Sequence, residues 1–276
     1  MIYEKIHLKE QFAFLGVNDA DPTLELYLPC NLSEMKREQQ KRPCMLVLPG
    51  GAYAFCSQRE SEPIALHFLP EGYNVFVLTY SVAPHRFPTQ LREVAAAMEL
   101  IHANADKWNC DVTKIALMGF SAGGHLAAHY ATQYDCAEVR EVFPQSKKIS
   151  ASVLSYPVIT ADWSFTHQGS MLNLLGHQPT EEDVRKFSNE KNVREDMPPT
   201  FLWHTVNDET VPVLNSIVYA KALAEKNVPF ELHIYPCGDH GLATADSQTC
   251  DNVDVHVQHV SAWLSNLKIW LKTYMA

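Results

Sequence analysis

Lys114-Ile115-Ala116-Leu117-Met118-Gly119-Phe120-Ser121-Ala122-Gly123-Gly124-His125 runs from apolar strand formers through G-x-S-x-G directly into helix formers. The pattern predicts a strand, a sharp turn carrying Ser121, and a helix. A turn of that kind holds its serine in strained backbone geometry and lifts the hydroxyl clear of the sheet. Gly119 and Gly123 flank the serine because a side chain at either position would collide where the helix crosses the strand. Downstream, Ala122 to Tyr134 carries apolar residues at Leu126, Ala127 and Tyr130, a helical spacing.

Short apolar runs of strand character recur on both sides: Ile2 to Leu8, Leu24 to Leu28, Cys44 to Leu48, Asn74 to Tyr80, Ala151 to Tyr156, Thr200 to His204 and Phe230 to Tyr235. Helical patterns lie between most of them. Pro63 to Leu69 starts behind Ser61 as a cap, Leu91 to Asn104 is rich in Ala, Glu and Leu, and Leu214 to Lys226 and Val253 to Tyr274 follow. Strands alternating with helices from Cys44 onward imply βαβ units and a mostly parallel eight-stranded sheet covered on both faces, preceded by an antiparallel N-terminal pair. The class is α/β, a single domain over 1–276. Pro157 to Pro199 is too long for a simple connection and is expected to fold as a small cap insertion, about 157–199, with one or two helices. Its charged run from Glu181 to Asp196 reads as a solvated helix face.

A serine hydroxyl needs a positioned base and a carboxylate that orients the base. Asp208 follows the strand Thr200 to His204, and His240 follows the strand Phe230 to Tyr235 within Gly238-Asp239-His240-Gly241. Both sit just past the carboxyl ends of expected parallel strands, the edge where open α/β sheets place ligands. Ser121, Asp208 and His240 are therefore the expected catalytic residues. Asp239 adjoins His240, but neighbouring side chains diverge, and Glu209 is a weaker substitute for Asp208. Pro49-Gly50-Gly51-Ala52-Tyr53 ends the strand Cys44 to Leu48, so the backbone N–H groups of Gly51, Ala52 and Ala122 are candidates for an oxyanion hole. Tyr53, Trp163 and Phe165 are candidates to line an acyl or sugar pocket. His125 and His129 lie four apart, yet position 126 is Leu where H-E-x-x-H requires Glu, so packing is the expected role and no metal is implied.

Composition narrows the partners. A formal charge of −10 argues against nucleic acid and against anionic membrane, and a neutral or cationic small molecule fits better. Met1 to Leu8 has no basic region followed by an apolar one, so a soluble cytoplasmic protein is expected, as monomer or homodimer. Seven scattered cysteines show neither C-x-x-C nor a zinc spacing, which reads as reduced structural thiols.

These residues resemble the α/β-hydrolase superfamily, in particular its bacterial esterase branch related to acetyl xylan esterases and the hormone-sensitive-lipase-like group. The resemblance runs from Cys44 to the C-terminal helix. It is carried by Pro-Gly-Gly-Ala-Tyr at 49–53, Gly-Phe-Ser-Ala-Gly-Gly-His at 119–125, Pro-Pro-Thr-Phe-Leu-Trp-His-Thr-x-x-Asp-x-x-Val-Pro at 198–212, and Gly-Asp-His-Gly at 238–241. Pro49 and Ala52 replace the first His and third Gly of the family's H-G-G-G. Phe120 stands where the lipase-like group often has Asp, which makes the acetyl xylan esterase type the nearer likeness. The resemblance implies a serine carboxylesterase that removes short acyl groups, acetyl first, from sugars or xylo-oligosaccharides, with no cofactor. An amide hydrolase such as an arylformamidase or a small-peptide hydrolase is the alternative, and a non-catalytic ligand binder has no need of an activated nucleophile.

Overall fold

Residues 1–275 are described by a computed structural model. Eight strands form one sheet among them: β1 (Ile2–His7), β2 (Thr23–Leu28), β3 (Arg42–Leu48), β4 (Asn74–Thr79), β5 (Cys110–Phe120), β6 (Ala151–Ser155), β7 (Thr200–Thr205) and β8 (Phe230–Tyr235). Their order is β1-β2-β4-β3-β5-β6-β7-β8. β2 runs antiparallel to both β1 and β4, and every pairing from β4 across to β8 is parallel. The helices are α1 (Leu8–Gln11), α2 (Glu62–Phe68), α3 (Thr89–Ala103), α4 (Ser121–Gln133), α5 (Ala137–Arg140), α6 (Gln168–Leu175), α7 (Glu181–Phe187), α8 (Leu214–Glu225), α9 (Val255–Val260) and α10 (Ala262–Tyr274).

Alternation along the inner strands divides the core in two, because successive side chains leave opposite faces of a sheet. Leu46, Leu48, Leu117, Leu154 and Leu202 pack on one face with Val94 of α3, Leu126 of α4 and Tyr219 of α8. Met45, Val47, Met118, Val153 and Trp203 pack on the other with Phe68 of α2 and Trp263 and Leu267 of α10. Covered on both sides, these strands read as continuous apolar runs rather than as half-polar ones.

Three local features differ from the sequence reading. β5 begins at Cys110, five residues before its apolar run, because Cys110 already pairs with Arg42 of β3; the next pairing is Ile115 with Cys44, so Asp111 to Lys114 form an irregular stretch in β5 where the register shifts. Ser61 precedes α2 but does not cap it with its side chain; its Oγ donates instead to the Ser57 carbonyl at 2.8 Å. The expected helix from Val253 to Tyr274 is two helices, since the Ser261 hydroxyl donates back to the Gln258 carbonyl at 2.7 Å where they meet, a bond that competes with the helical ladder. The first of them starts only at Val255, where the Asp254 carboxylate accepts from the His256 and Val257 N–H groups, both at 2.9 Å.

The segment 157–199 holds α6, α7 and a short 3₁₀ turn at Asn189–Asn192. α7 is opened by a capping box in which Thr180 and Asp183 satisfy each other's backbone N–H groups. The segment is fastened downward: Phe87 N–H donates to Leu174 O at 3.1 Å, and Met171, Leu174 and Phe187 enter the core.

Candidate active site

β5 ends at Phe120, and Ser121 takes φ +51° as the first residue of α4. Positive φ is costly for any residue with a Cβ, so the turn is held by its surroundings. A Cβ on Gly119 would strike the Gly123 carbonyl, and one on Gly123 would strike the carbonyls of Leu48 and Pro49. The helix therefore passes against both β5 and the end of β3, and Ser121 is brought beside the loop after β3.

His240 reaches the same point from the loop after β8. Its Nε2 lies 2.8 Å from Ser121 Oγ, and its Nδ1 lies 2.6 Å from Asp208 Oδ2. With Asp208 ionised, Nδ1–H donates to the carboxylate, and Nε2 accepts the serine proton. Asp208 Oδ1 accepts from the N–H groups of Thr210 and Val211 at 2.9 and 2.8 Å. Burial alone would raise the Asp208 carboxyl, but hydrogen bonds from His204 and His240, the charge of His240 and the Val211 N–H outweigh it and hold the group well below the usual carboxylate range.

The loop after β3 borders the same point. Gly51 has φ +124° and Ala52 φ +56°, and both line the cavity that Ser121 opens into. Among the described residues neither the Gly51 nor the Ala52 N–H has a protein acceptor, and Ala122 N–H lies in the first turn of α4, where no intrahelical partner exists. Tyr80 OH bonds to Pro49 O at 2.6 Å and Asn173 Nδ2 to Ala52 O at 2.8 Å, pinning the loop from two sides. A cavity of about 280 Å³ opens over Ser121, lined also by Gly51, Ala52, Phe55, His167, Thr210 and His240.

The three pocket candidates lie elsewhere. Tyr53 is fully buried, with its OH 2.9 Å from His125 Nδ1. Trp163 packs half-buried on the core, and Phe165, also half-buried, is not among the cavity's lining residues. His125 Nε2 lies 2.9 Å from the Phe187 carbonyl, so Nε2–H donates there and Nδ1 accepts from Tyr53. Burial lowers His125 to about 4 and His129 to about 3, which keeps both neutral.

Four cavity or supporting residues escaped the sequence reading. His167, half-buried, opens α6 as its N-cap and accepts from the Ser170 N–H at 3.2 Å through Nδ1; its ring proton then sits on Nε2. Thr210 lies two residues beyond Asp208 in the same loop. His204 is buried behind the site, and Glu60, also buried, lies at the cavity wall. His204 carried a signal, four residues before Asp208 at the end of β7, whereas Glu60 sits in the polar run Ser57-Gln58-Arg59-Glu60-Ser61 and reads as surface.

Residues 24–223 match the BD-FAE family profile. The chain belongs to the BD-FAE family. Endo-1,4-beta-xylanase B of Butyrivibrio fibrisolvens is 40% identical over 232 residues, 80% of this chain and 36% of that protein. Acetylxylan esterase of Xylanibacter ruminicola is 31% identical over 201 residues, 71% of this chain and 40% of that protein. The chain thus spans two fifths or less of the length of these two relatives. A solved structure aligns nearly end to end: the acetyl ester-xyloside bifunctional hydrolase from Caldicellulosiruptor lactoaceticus, 35% identical, with a TM-score of 0.83 over 98% of this chain and 96% of that one. This BD-FAE chain therefore has the α/β-hydrolase fold, an open, mostly parallel sheet between two layers of helices. No helix among its described residues is long and apolar enough to cross a membrane.

Proposed function

We propose that the protein is a serine carboxylesterase that hydrolyses short-chain acyl esters, acetyl first, of sugars such as xylo-oligosaccharides. The observation that carries the reading is the continuous path from Ser121 Oγ through His240, at 2.8 Å, to Asp208, at 2.6 Å. Support for the alcohol comes from two relatives whose names join xylan or xyloside to acetyl ester hydrolysis, and from a third named as a xylanase.

Ser121 Oγ attacks the ester carbonyl carbon as its proton passes to His240 Nε2. The carbonyl oxygen becomes an oxyanion, which the N–H groups of Gly51, Ala52 and Ala122 bind more strongly than they bind the neutral carbonyl. Asp208 holds the imidazole in the right tautomer and stabilises the imidazolium. Collapse of the intermediate expels the alcohol, which takes the proton from Nε2 and leaves an acyl-serine. Water then repeats the sequence, giving a proton to Nε2 and releasing the acid as Ser121 recovers its hydrogen. The segment 157–199 serves as a cap whose His167 lines the cavity over Ser121.

The test uses the purified protein with p-nitrophenyl acetate, acetylated xylo-oligosaccharides and N-formylkynurenine. Acetyl esters are expected to be cleaved and Ser121→Ala to abolish both turnover and labelling by a fluorophosphonate. Faster cleavage of N-formylkynurenine than of any acetylated sugar would make the protein an amide hydrolase.

A further inference from the structure

Glu60 is 3% exposed and has no place in the mechanism above. Its Oε2 accepts from the Gly50 N–H at 2.6 Å, and its Oε1 accepts from Tyr156 OH at 2.7 Å. The tyrosine oxygen in turn accepts from the Ala243 N–H at 3.0 Å. A tyrosine has one proton, and with Ala243 donating to the oxygen that proton is directed to Glu60. Both carboxyl oxygens therefore face donors, the arrangement that suits a carboxylate. Burial, the largest influence, leaves the Glu60 carboxyl above its ordinary value, although the bonds from Tyr156 and Gly50, then the charges of His240 and Arg59, pull it part of the way back.

The position of this carboxylate is unusual. A Cβ on Gly50 would lie 2.8 Å from Glu60 Oε2 and 2.9 Å from Ser121 Cβ, so the carboxylate is within one small side chain of the nucleophile. The Tyr156 ring meets the His240 ring at 5.0 Å, tilted by 67°. The Ser57 N–H donates to Gly50 O at 3.0 Å, which ties the turn that carries Glu60 back to the donor loop. Glu60, through Tyr156, thus joins the loop bearing Gly51 and Ala52 to the loop bearing His240.

We propose that Glu60 is a positioning residue of the hydrolytic site: it holds the Gly50–Ala52 donors and the His240 loop in register, and its buried charge favours the imidazolium formed when Ser121 gives up its proton. The inference rests on the functional reading above only in taking Ser121 as the nucleophile. Other groups facing His240 are Asp208 and Ser121, the Tyr156 ring, Arg59 at the cavity wall and His167 from the start of α6.

The experiment measures the rate constant for fluorophosphonate labelling of Ser121 by intact mass between pH 5 and 9, which needs no knowledge of the natural ester. Glu60→Gln turns an NH₂ toward one of the two donors, and labelling is expected to slow about 10- to 100-fold, as when one oxyanion donor is misplaced. Loss of the nearby negative charge should also move the acid limb of the profile down by about half a pH unit or more. Glu60→Asp keeps the charge and should return the limb to its place. Tyr156→Phe deletes one hydroxyl, preserves the packing, and should slow labelling about three- to tenfold by freeing the Ala243 loop. Unchanged labelling in Tyr156→Phe overturns the proposal even if Glu60→Gln fails to fold, and slower labelling of Glu60→Gln with its acid limb in place does so as well. Failure of the esterase reading would be seen separately, as absence of p-nitrophenyl acetate turnover by a protein that still labels at Ser121.

Discussion

His204 Nε2 lies 3.3 Å from Asp208 Oδ2 and 2.9 Å from the Val211 carbonyl, and both side chains are fully buried. A carbonyl only accepts, so Nε2 carries the hydrogen and shares it with the carboxylate. Nδ1 then accepts from Ser216 Oγ, 2.8 Å away. Asp208 is thus gripped by two histidines, one facing Ser121 and one facing the core.

That grip makes the acid sensitive to two substitutions of different size. Asp208→Asn should lower ester turnover by about 10⁴ because the amide stabilises the wrong tautomer of His240. His204→Phe removes one of several bonds to the carboxylate and should cost far less, about tenfold, with a lower thermal midpoint. Steady-state kinetics on p-nitrophenyl acetate and a melting curve decide both, and an Asp208→Asn variant with near-normal turnover would transfer the role to another carboxylate.

Gly123→Ala should destabilise the fold rather than the chemistry alone. The added methyl has only the backbone carbonyls of Leu48 and Pro49 to meet, and neither can rotate away. A loss of about 2 kcal/mol or more in chemical denaturation is expected. Full stability would mean that α4 can move off β3.

Glu93 gives stability a pH dependence near neutrality. Burial raises its carboxyl from the ordinary 4.5 to about 7, although the Ser81 hydroxyl and N–H, the latter at 2.7 Å, bond to it. Between pH 4.5 and 7 the folded protein holds a proton that the unfolded chain has lost, so this group's contribution to stability falls as pH rises through that window. Glu93→Gln should therefore gain thermal midpoint relative to the unmodified protein as pH goes from 5 to 8. A constant gap across that range would show that Glu93 does not change its proton occupancy there.

Acyl selectivity follows from the cavity over Ser121. Its volume of about 280 Å³ must hold the acyl group and part of the alcohol beneath His167 and Thr210. A pocket that welcomed long chains would add about 0.8 kcal/mol per buried methylene. The expected order is instead acetyl or propionyl first, with kcat/KM falling beyond butyryl in a series of p-nitrophenyl esters. A steady rise toward decanoyl would contradict it.

The eight strands, their alternation with helices and the positions of Ser121, Asp208 and His240 were legible from residue order. Apolar runs specify strands locally, and parallel βαβ connections leave every strand ending at one edge of the sheet. Covalent order also explains the elbow, since Gly119 and Gly123 report a close approach that only glycine permits. Proximity between distant loops is another matter. Glu60 lies 96 positions from Tyr156, and nothing in a polar run distinguishes a carboxylate buried by tertiary packing from one left in water. Tyr53 and His125 show the converse: an aromatic beside the donor loop and a histidine beside the elbow look like site residues, yet packing turns them toward each other and away from the cavity. Local chemistry decided the sheet and the strand ends that carry Ser121, Asp208 and His240; which groups surround them was decided by the fold, because desolvation and contact depend on neighbours that the sequence keeps far apart.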